Sequence, residues 1–234
     1  MKKSQIKGIL KQIKKSKVHK RFDSLLKEFS SRKSKIDVDL ISIAIFFQMF
    51  KMRESLEDYK QKIDRGKDIT LAELFQDLIG YYLRNNLSGN HQVKTENFKR
   101  TKGKKGVQPD FLITKNSKNH ALLEVSTNLG YKRYLVQEKG YLKRIQKLRK
   151  AFNFEIPKKR SFYIIETVSN VDKDFSEKFK KGKMSNILPL FSVSADPQTL
   201  RKKIRGKLTP SKIILFAKKN QITSFKEIIK KIKK

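Results

Sequence analysis

The chain has 234 residues, 57 of them Lys or Arg against 22 Asp or Glu, giving a formal charge of +35, with no Cys and three His. The absence of Cys excludes disulfides, thiol nucleophiles and Cys-ligated zinc. The charge excess would make a compact domain repel itself unless a polyanion neutralised it, so the expected partner is a phosphate backbone.

A Lys-rich composition can also be inherited from an AT-rich genome, but that drift does not account for so few acids. Hydrophobic residues at 37% and aromatics at 10% are enough to bury a core, which argues against disorder throughout. The three His (His19, His91, His120) are widely scattered in the sequence. Any catalytic metal is therefore expected on carboxylates, as Mg2+ or a similar hard ion. The longest apolar run, Leu40 to Phe50, is too short and interrupted to span a bilayer. The N-terminus (MKKSQIKGILKQIKK) has no signal-peptide apolar region. These features predict a cytoplasmic, nucleoid-associated bacterial protein with no membrane partner.

Residues 1–66 read as a basic helical segment and residues 67–234 as an α/β core with a basic C-terminal segment. In the first segment, Ile6, Ile9, Leu10 and Ile13, then Phe22, Leu25, Leu26 and Phe29, fall at helical spacing. They predict two short basic amphipathic helices, either an arm that grips nucleic acid or a solvated cover. Asp37 or Asp39 is a candidate N-cap for an apolar helix through Phe50, expected to be buried in the core or, as the alternative, at a dimer interface, and continued by a charged stretch to Lys62. Asp64 to Asp68 (DRGKD) breaks the pattern. Thr70-Leu71-Ala72-Glu73 then reads as a capping box opening a helix to about Asn85, with Leu71, Leu74, Phe75, Leu78, Tyr82 and Leu83 as its core stripe.

HQVKTENF, from His91, has strand character, and the Gly- and Lys-rich stretch Lys99 to Gly106 (KRTKGKKG) reads as a loop suited to clamping phosphate. Val107 to Thr114 and Ala121 to Thr127 read as strands joined by a turn over Lys115 to Asn119. Tyr131 to Phe152 reads as a long basic helix with Leu135, Tyr141, Leu142, Ile145 and Leu148 on one side. Ser161 to Glu166 and Lys212 to Ala217 are the remaining predicted strands. The apolar stretch ILPLFSVSA after residue 170 has no assigned role. Strands alternating with a crossover helix predict a mixed sheet flanked by helices rather than an all-helical protein.

The informative acids are Asp110 and Glu124, 14 residues apart on successive apolar strands. If those strands form an antiparallel hairpin, both carboxylates converge on one edge of the sheet. Acids within apolar strands are costly without a counter-charge, and a divalent cation is such a compensation.

Pro109-Asp110 on one strand followed by Glu124-Val125-Ser126 on the next resembles the PD-(D/E)xK nuclease motif. The resemblance spans about Leu71 to Glu166. It implies a restriction-endonuclease-like core and a type II restriction endonuclease-like activity, the Mg2+-dependent, sequence-specific hydrolysis of double-stranded DNA by a homodimer. Asp110 and Glu124 would hold the metal and, with Ser126 and Glu73, form the catalytic set. Ser126 departs from the family pattern, since it occupies the lysine position, and a Ser hydroxyl is no general base at neutral pH. The missing ammonium is then sought at Lys94 or Lys132. Glu73 stands on the helix that often contributes an acid in this superfamily, with Asp77 as the alternative and a capping role as the competing reading. DNA contacts are expected from Lys99, Arg100, Lys102, Lys104, Lys105, Lys132 and Arg133, and more widely from the helix between Lys132 and Lys150. The rival readings are another PD-(D/E)xK nuclease, such as a junction resolvase or repair nuclease, and a non-enzymatic basic DNA- or RNA-binding protein.

Overall fold

The computed structural model describes residues 41–58, 69–87, 89–95, 108–128, 134–168 and 186–234. The two predicted N-terminal helices, the Asp37 or Asp39 cap, the Lys99 to Gly106 loop, Lys132 and Arg133 lie outside the described residues.

In chain order the elements are α1 (Ile41–Asp58), α2 (Ile69–Asn86), β1 (His91–Lys94), β2 (Phe111–Lys115), β3 (Lys118–Asn128), α3 (Tyr134–Ala151), β4 (Ser161–Thr167), β5 (Ile187–Phe191), α4 (Pro197–Lys203), α5 (Pro210–Lys219) and α6 (Phe225–Lys233). The strands form one five-stranded mixed sheet in the order β1-β2-β3-β4-β5. β1, β2 and β3 pair antiparallel, and β3, β4 and β5 pair parallel. The hairpin between β2 and β3 turns at Asn116 and Ser117, both at positive φ (49° and 64°), as a two-residue turn compatible with strand twist requires. Between β3 and β4 the chain must cross over, and α3 makes that crossing.

Side chains alternate across the strands, which separates two packed faces. On one face Leu112 and Leu122 meet Leu148 of α3 and Ile156. On the other, Phe111, Ile113, Ala121, Leu123, Phe162 and Ile164 share a core with residues of α1, α2, α5 and α6. The helix expected to be buried is so: Ile41, Ile45, Phe46 and Met49 of α1 are fully enclosed. It is joined to α6 by a hydrogen bond that the Phe225 N–H donates to Ser42 Oγ at 2.8 Å. It is also tied to the sheet by Arg53, whose guanidinium donates to both oxygens of buried Glu166 on β4 at 2.6 and 2.7 Å. Close approach of α2 to the sheet depends on Gly80, where an added Cβ would lie 2.8 Å from the Phe111 ring.

Two expectations are corrected. Lys212 to Ala217 is not a strand but part of α5. Thr209 caps that helix by accepting from the Lys212 N–H, Pro210 occupies its first turn, and Ile213 and Ala217 are buried four residues apart. Its apolar run is too short for periodicity alone to decide between helix and strand, and the Thr-Pro start signal decides for helix. The sheet's fifth strand is instead Ile187–Phe191, whose Pro189 is tolerated because β5 is the last strand of the sheet. The predicted capping box at Thr70 also fails, because Ile69 and Thr70 are already helical and Glu73 lies deeper in α2. A capping box does occur at the start of α6, between Ser224 and Glu227.

Candidate active site

The pairing of Phe111 with Leu123 places Asp110, the residue before β2, across from Glu124 on β3. Both acids therefore stand at the end of the hairpin away from its turn, Glu124 on the strand where the sheet changes from antiparallel to parallel pairing and Asp110 beside it. This is the sheet face that α3 covers, since Asp110 and Glu124 alternate in phase with Leu112 and Leu122.

The two acids are linked through the backbone. The Val125 N–H donates to Asp110 Oδ2 at 2.7 Å, and the Asp110 N–H donates to the Glu124 carboxylate. Glu124 is buried, at 6% exposure, and Asp110 is half-buried. Burial pushes the Glu124 carboxyl up to about 7. Its hydrogen bond from Arg144 opposes the rise and the neighbouring Asp110 charge adds to it. Asp110 is raised too, again mainly by burial, against the lowering effects of the Val125 N–H and of Arg144. Each acid is thus short of positive charge and hydration.

Arg144 of α3 answers part of that shortage. Its Nε donates to Glu124 Oε2 at 3.0 Å, and its Nη2 donates to Glu124 Oε1 at 3.2 Å and to the Gln108 carbonyl at 2.6 Å. A planar guanidinium suits this two-point grip in a way that an ammonium does not. The sequence places Arg144 only within the basic helix expected to grip DNA and gives Gln108 no role. The available signal was that Arg144 lies four residues before buried Leu148, on the inward stripe of a helix whose other basic residues are mostly Lys.

The remaining predicted residues are distributed as follows. Ser126, two residues beyond Glu124, lies in phase with it on β3, half-buried and opposite Ile165 of β4. Lys94 is exposed at the end of β1, opposite Leu112, and among the described residues the cation that reaches the acids is Arg144. Glu73 is exposed on α2. It acts electrostatically on Asp77, one turn on, whose carboxyl is raised chiefly by desolvation while Arg84 lowers it. Among the described residues, the groups acting on Asp110 and Glu124 are Val125, Arg144 and one another, and Glu73 is not among them.

His91 and His120, far apart in sequence, meet edge to face with ring centroids 5.3 Å apart. His120 Nε2 donates to the Ile232 carbonyl at 2.7 Å, and its Nδ1 accepts from Arg160 at 3.3 Å. Both ring nitrogens of His120 are thereby engaged in holding the C-terminal helix against the sheet. Among the described residues no group of three or more His, Asp or Glu is arranged to hold a metal ion. What the site offers a cation is a set of oxygens from Asp110, Glu124 and Gln108. That set suits a hard ion in chemistry, and two of its three members already bond one guanidinium.

Among the described residues, no helix is long and apolar enough to cross a membrane. No family model matches the chain, and neither curated proteins nor solved structures give a match.

Proposed function

We propose that the chain is a type II restriction endonuclease-like enzyme of the PD-(D/E)xK class, hydrolysing phosphodiester bonds of double-stranded DNA with Mg2+ held by Asp110 and Glu124. The observation that carries this reading is the register of the hairpin, which sets Asp110 opposite Glu124 with both carboxyls raised by burial. Among the described residues the two carboxylates share one guanidinium, so a further cation is electrostatically favoured there. Bound between them, Mg2+ would stabilise charge on the scissile phosphate and acidify a bound water. The chain's own part is to aim the two acids through the Val125 and Asp110 N–H groups and to supply a guanidinium at the site in place of the motif lysine. The charge of +35 supports a duplex as partner. A homodimer follows from the two-fold symmetry of a palindromic site.

The test is incubation with long mixed-sequence DNA in Mg2+ and in EDTA. Discrete bands that appear only with Mg2+ are the expected result. A smear, or a preference for branched DNA, would favour a repair nuclease or junction resolvase. Intact DNA would favour a basic nucleic-acid-binding protein without catalysis. Two observations favour that last reading, namely Ser126 at the lysine position and the exposure of Glu73 on α2.

A further inference from the structure

The guanidinium of Arg144 sits where a metal ion would have to work. It engages both oxygens of Glu124 and the Gln108 carbonyl, the same oxygens a cation between the strands would use. Its side chain is 37% exposed while that of Glu124 is 8% exposed, so the arginine approaches from the solvent side and the acid cannot follow it out. If the arginine left with nothing replacing it, two adjacent carboxylates would remain without their counter-charge, which is unfavourable. A divalent ion and the guanidinium therefore compete for Glu124.

The guanidinium has one other class of partner that it grips with the same two-pronged geometry, a phosphate. On this basis we propose that Arg144 is a resident cation that closes the Asp110–Glu124 site to divalent metal and is drawn off by the phosphate backbone of bound DNA. Metal and duplex then bind with positive cooperativity. The inference rests on the nuclease reading of the same site, and it assigns that site a regulation. An enzyme built this way takes up its metal at the substrate and remains metal-poor away from it. Because binding couplings are reciprocal, metal must tighten duplex binding by the same factor as duplex tightens metal binding.

The experiment is a Mn2+ titration of the full chain, following free Mn2+ by electron paramagnetic resonance, with and without a short phosphorothioate duplex. Wild type, Arg144→Gln, Arg144→Lys and Asp110→Asn are compared, and the Asp110→Asn signal defines binding elsewhere on protein and DNA. Without duplex, Arg144→Gln is expected to bind Mn2+ about tenfold more tightly than wild type, within the usual range of coupling between sites. Adding duplex should tighten Mn2+ binding to wild type by a similar factor and to Arg144→Gln hardly at all. Arg144→Lys, which keeps the charge but loses the two-point grip, should fall between. The wild-type comparison with and without duplex needs no variant, so misfolding of Arg144→Gln leaves the proposal exposed to refutation. Equal Mn2+ affinity in wild type and Arg144→Gln, with binding still lost in Asp110→Asn, would overturn the role of Arg144 and leave the metal site standing. Absence of any Asp110-dependent Mn2+ binding would overturn both.

Discussion

Glu124 converts the site's electrostatics into a measurable stability. Its carboxyl titrates at about 7 in the fold against an ordinary 4.5, chiefly because it is buried. The folded state therefore holds a proton that the unfolded chain releases, and stability falls as pH rises from about 4.5 to about 7. The difference between the two values corresponds to about 3 kcal/mol at neutral pH. His120 acts in the opposite direction. Burial holds it below its ordinary 6.5, so its contribution is complete above that value and is lost as pH falls. A wild-type profile mixes these effects, whereas comparison with Glu124→Gln isolates the first. The assay is urea unfolding at a series of pH values in EDTA. Relative to the variant, wild type should lose about 3 kcal/mol between pH 4.5 and pH 7. Parallel profiles across that window would mean that Glu124 is solvated, and the electrostatic account of the acid pair would fail.

Other outcomes follow from single contacts. Gly80→Ala places a Cβ 2.8 Å from the Phe111 ring. The overpacking cost of about 1–3 kcal/mol should outweigh a helix-propensity gain of about 1 kcal/mol. Urea unfolding should show net destabilisation that Phe111→Leu relieves, and a stabilised Gly80→Ala would contradict the packing described. Arg53→Ala leaves Glu166 at 0% exposure without its ion-pair partner, a loss expected to cost about 3–5 kcal/mol in the same assay. A cost below about 1 kcal/mol would show that Glu166 is not dependent on that pair. If DNA binding neutralises about 6 to 10 phosphates, affinity measured by fluorescence anisotropy should fall about 10³- to 10⁵-fold between 50 and 200 mM salt. A flat dependence would rule out backbone contact as the source of affinity.

Much of this architecture is written in local signals. The alternation around Asp110 and Glu124 located β2 and β3, and the run before Glu166 located β4, because apolar strands bounded by turn residues leave few other options. The carboxylate pair was legible for the same reason: hairpin register follows from the apolar pattern and the position of the turn. The pattern does not name the partner of a buried charge. Arg144 reaches Glu124 across 20 residues and from another element, and although its place four residues before Leu148 sets it on the inward stripe of α3, that spacing does not say which buried group it meets. The strand at Ile187 was obscured by Pro189, which is tolerated at this edge position but would argue against a central strand. The segment at Lys212 had strand-like composition, and the Thr209-Pro210 start that overrides it is a two-residue signal. Glu73 satisfied the spacing of a capping box, but helix α2 starts earlier than that spacing implied.

The proposed activity requires Asp110 and Glu124 to act together on a phosphodiester. The most direct measurement is cleavage of a supercoiled plasmid in Mg2+ by wild type and by Asp110→Ala, with duplex binding measured in parallel. Loss of nicking and linearisation in the variant, with duplex affinity retained, is the predicted result. Equal cleavage by the two proteins would contradict it.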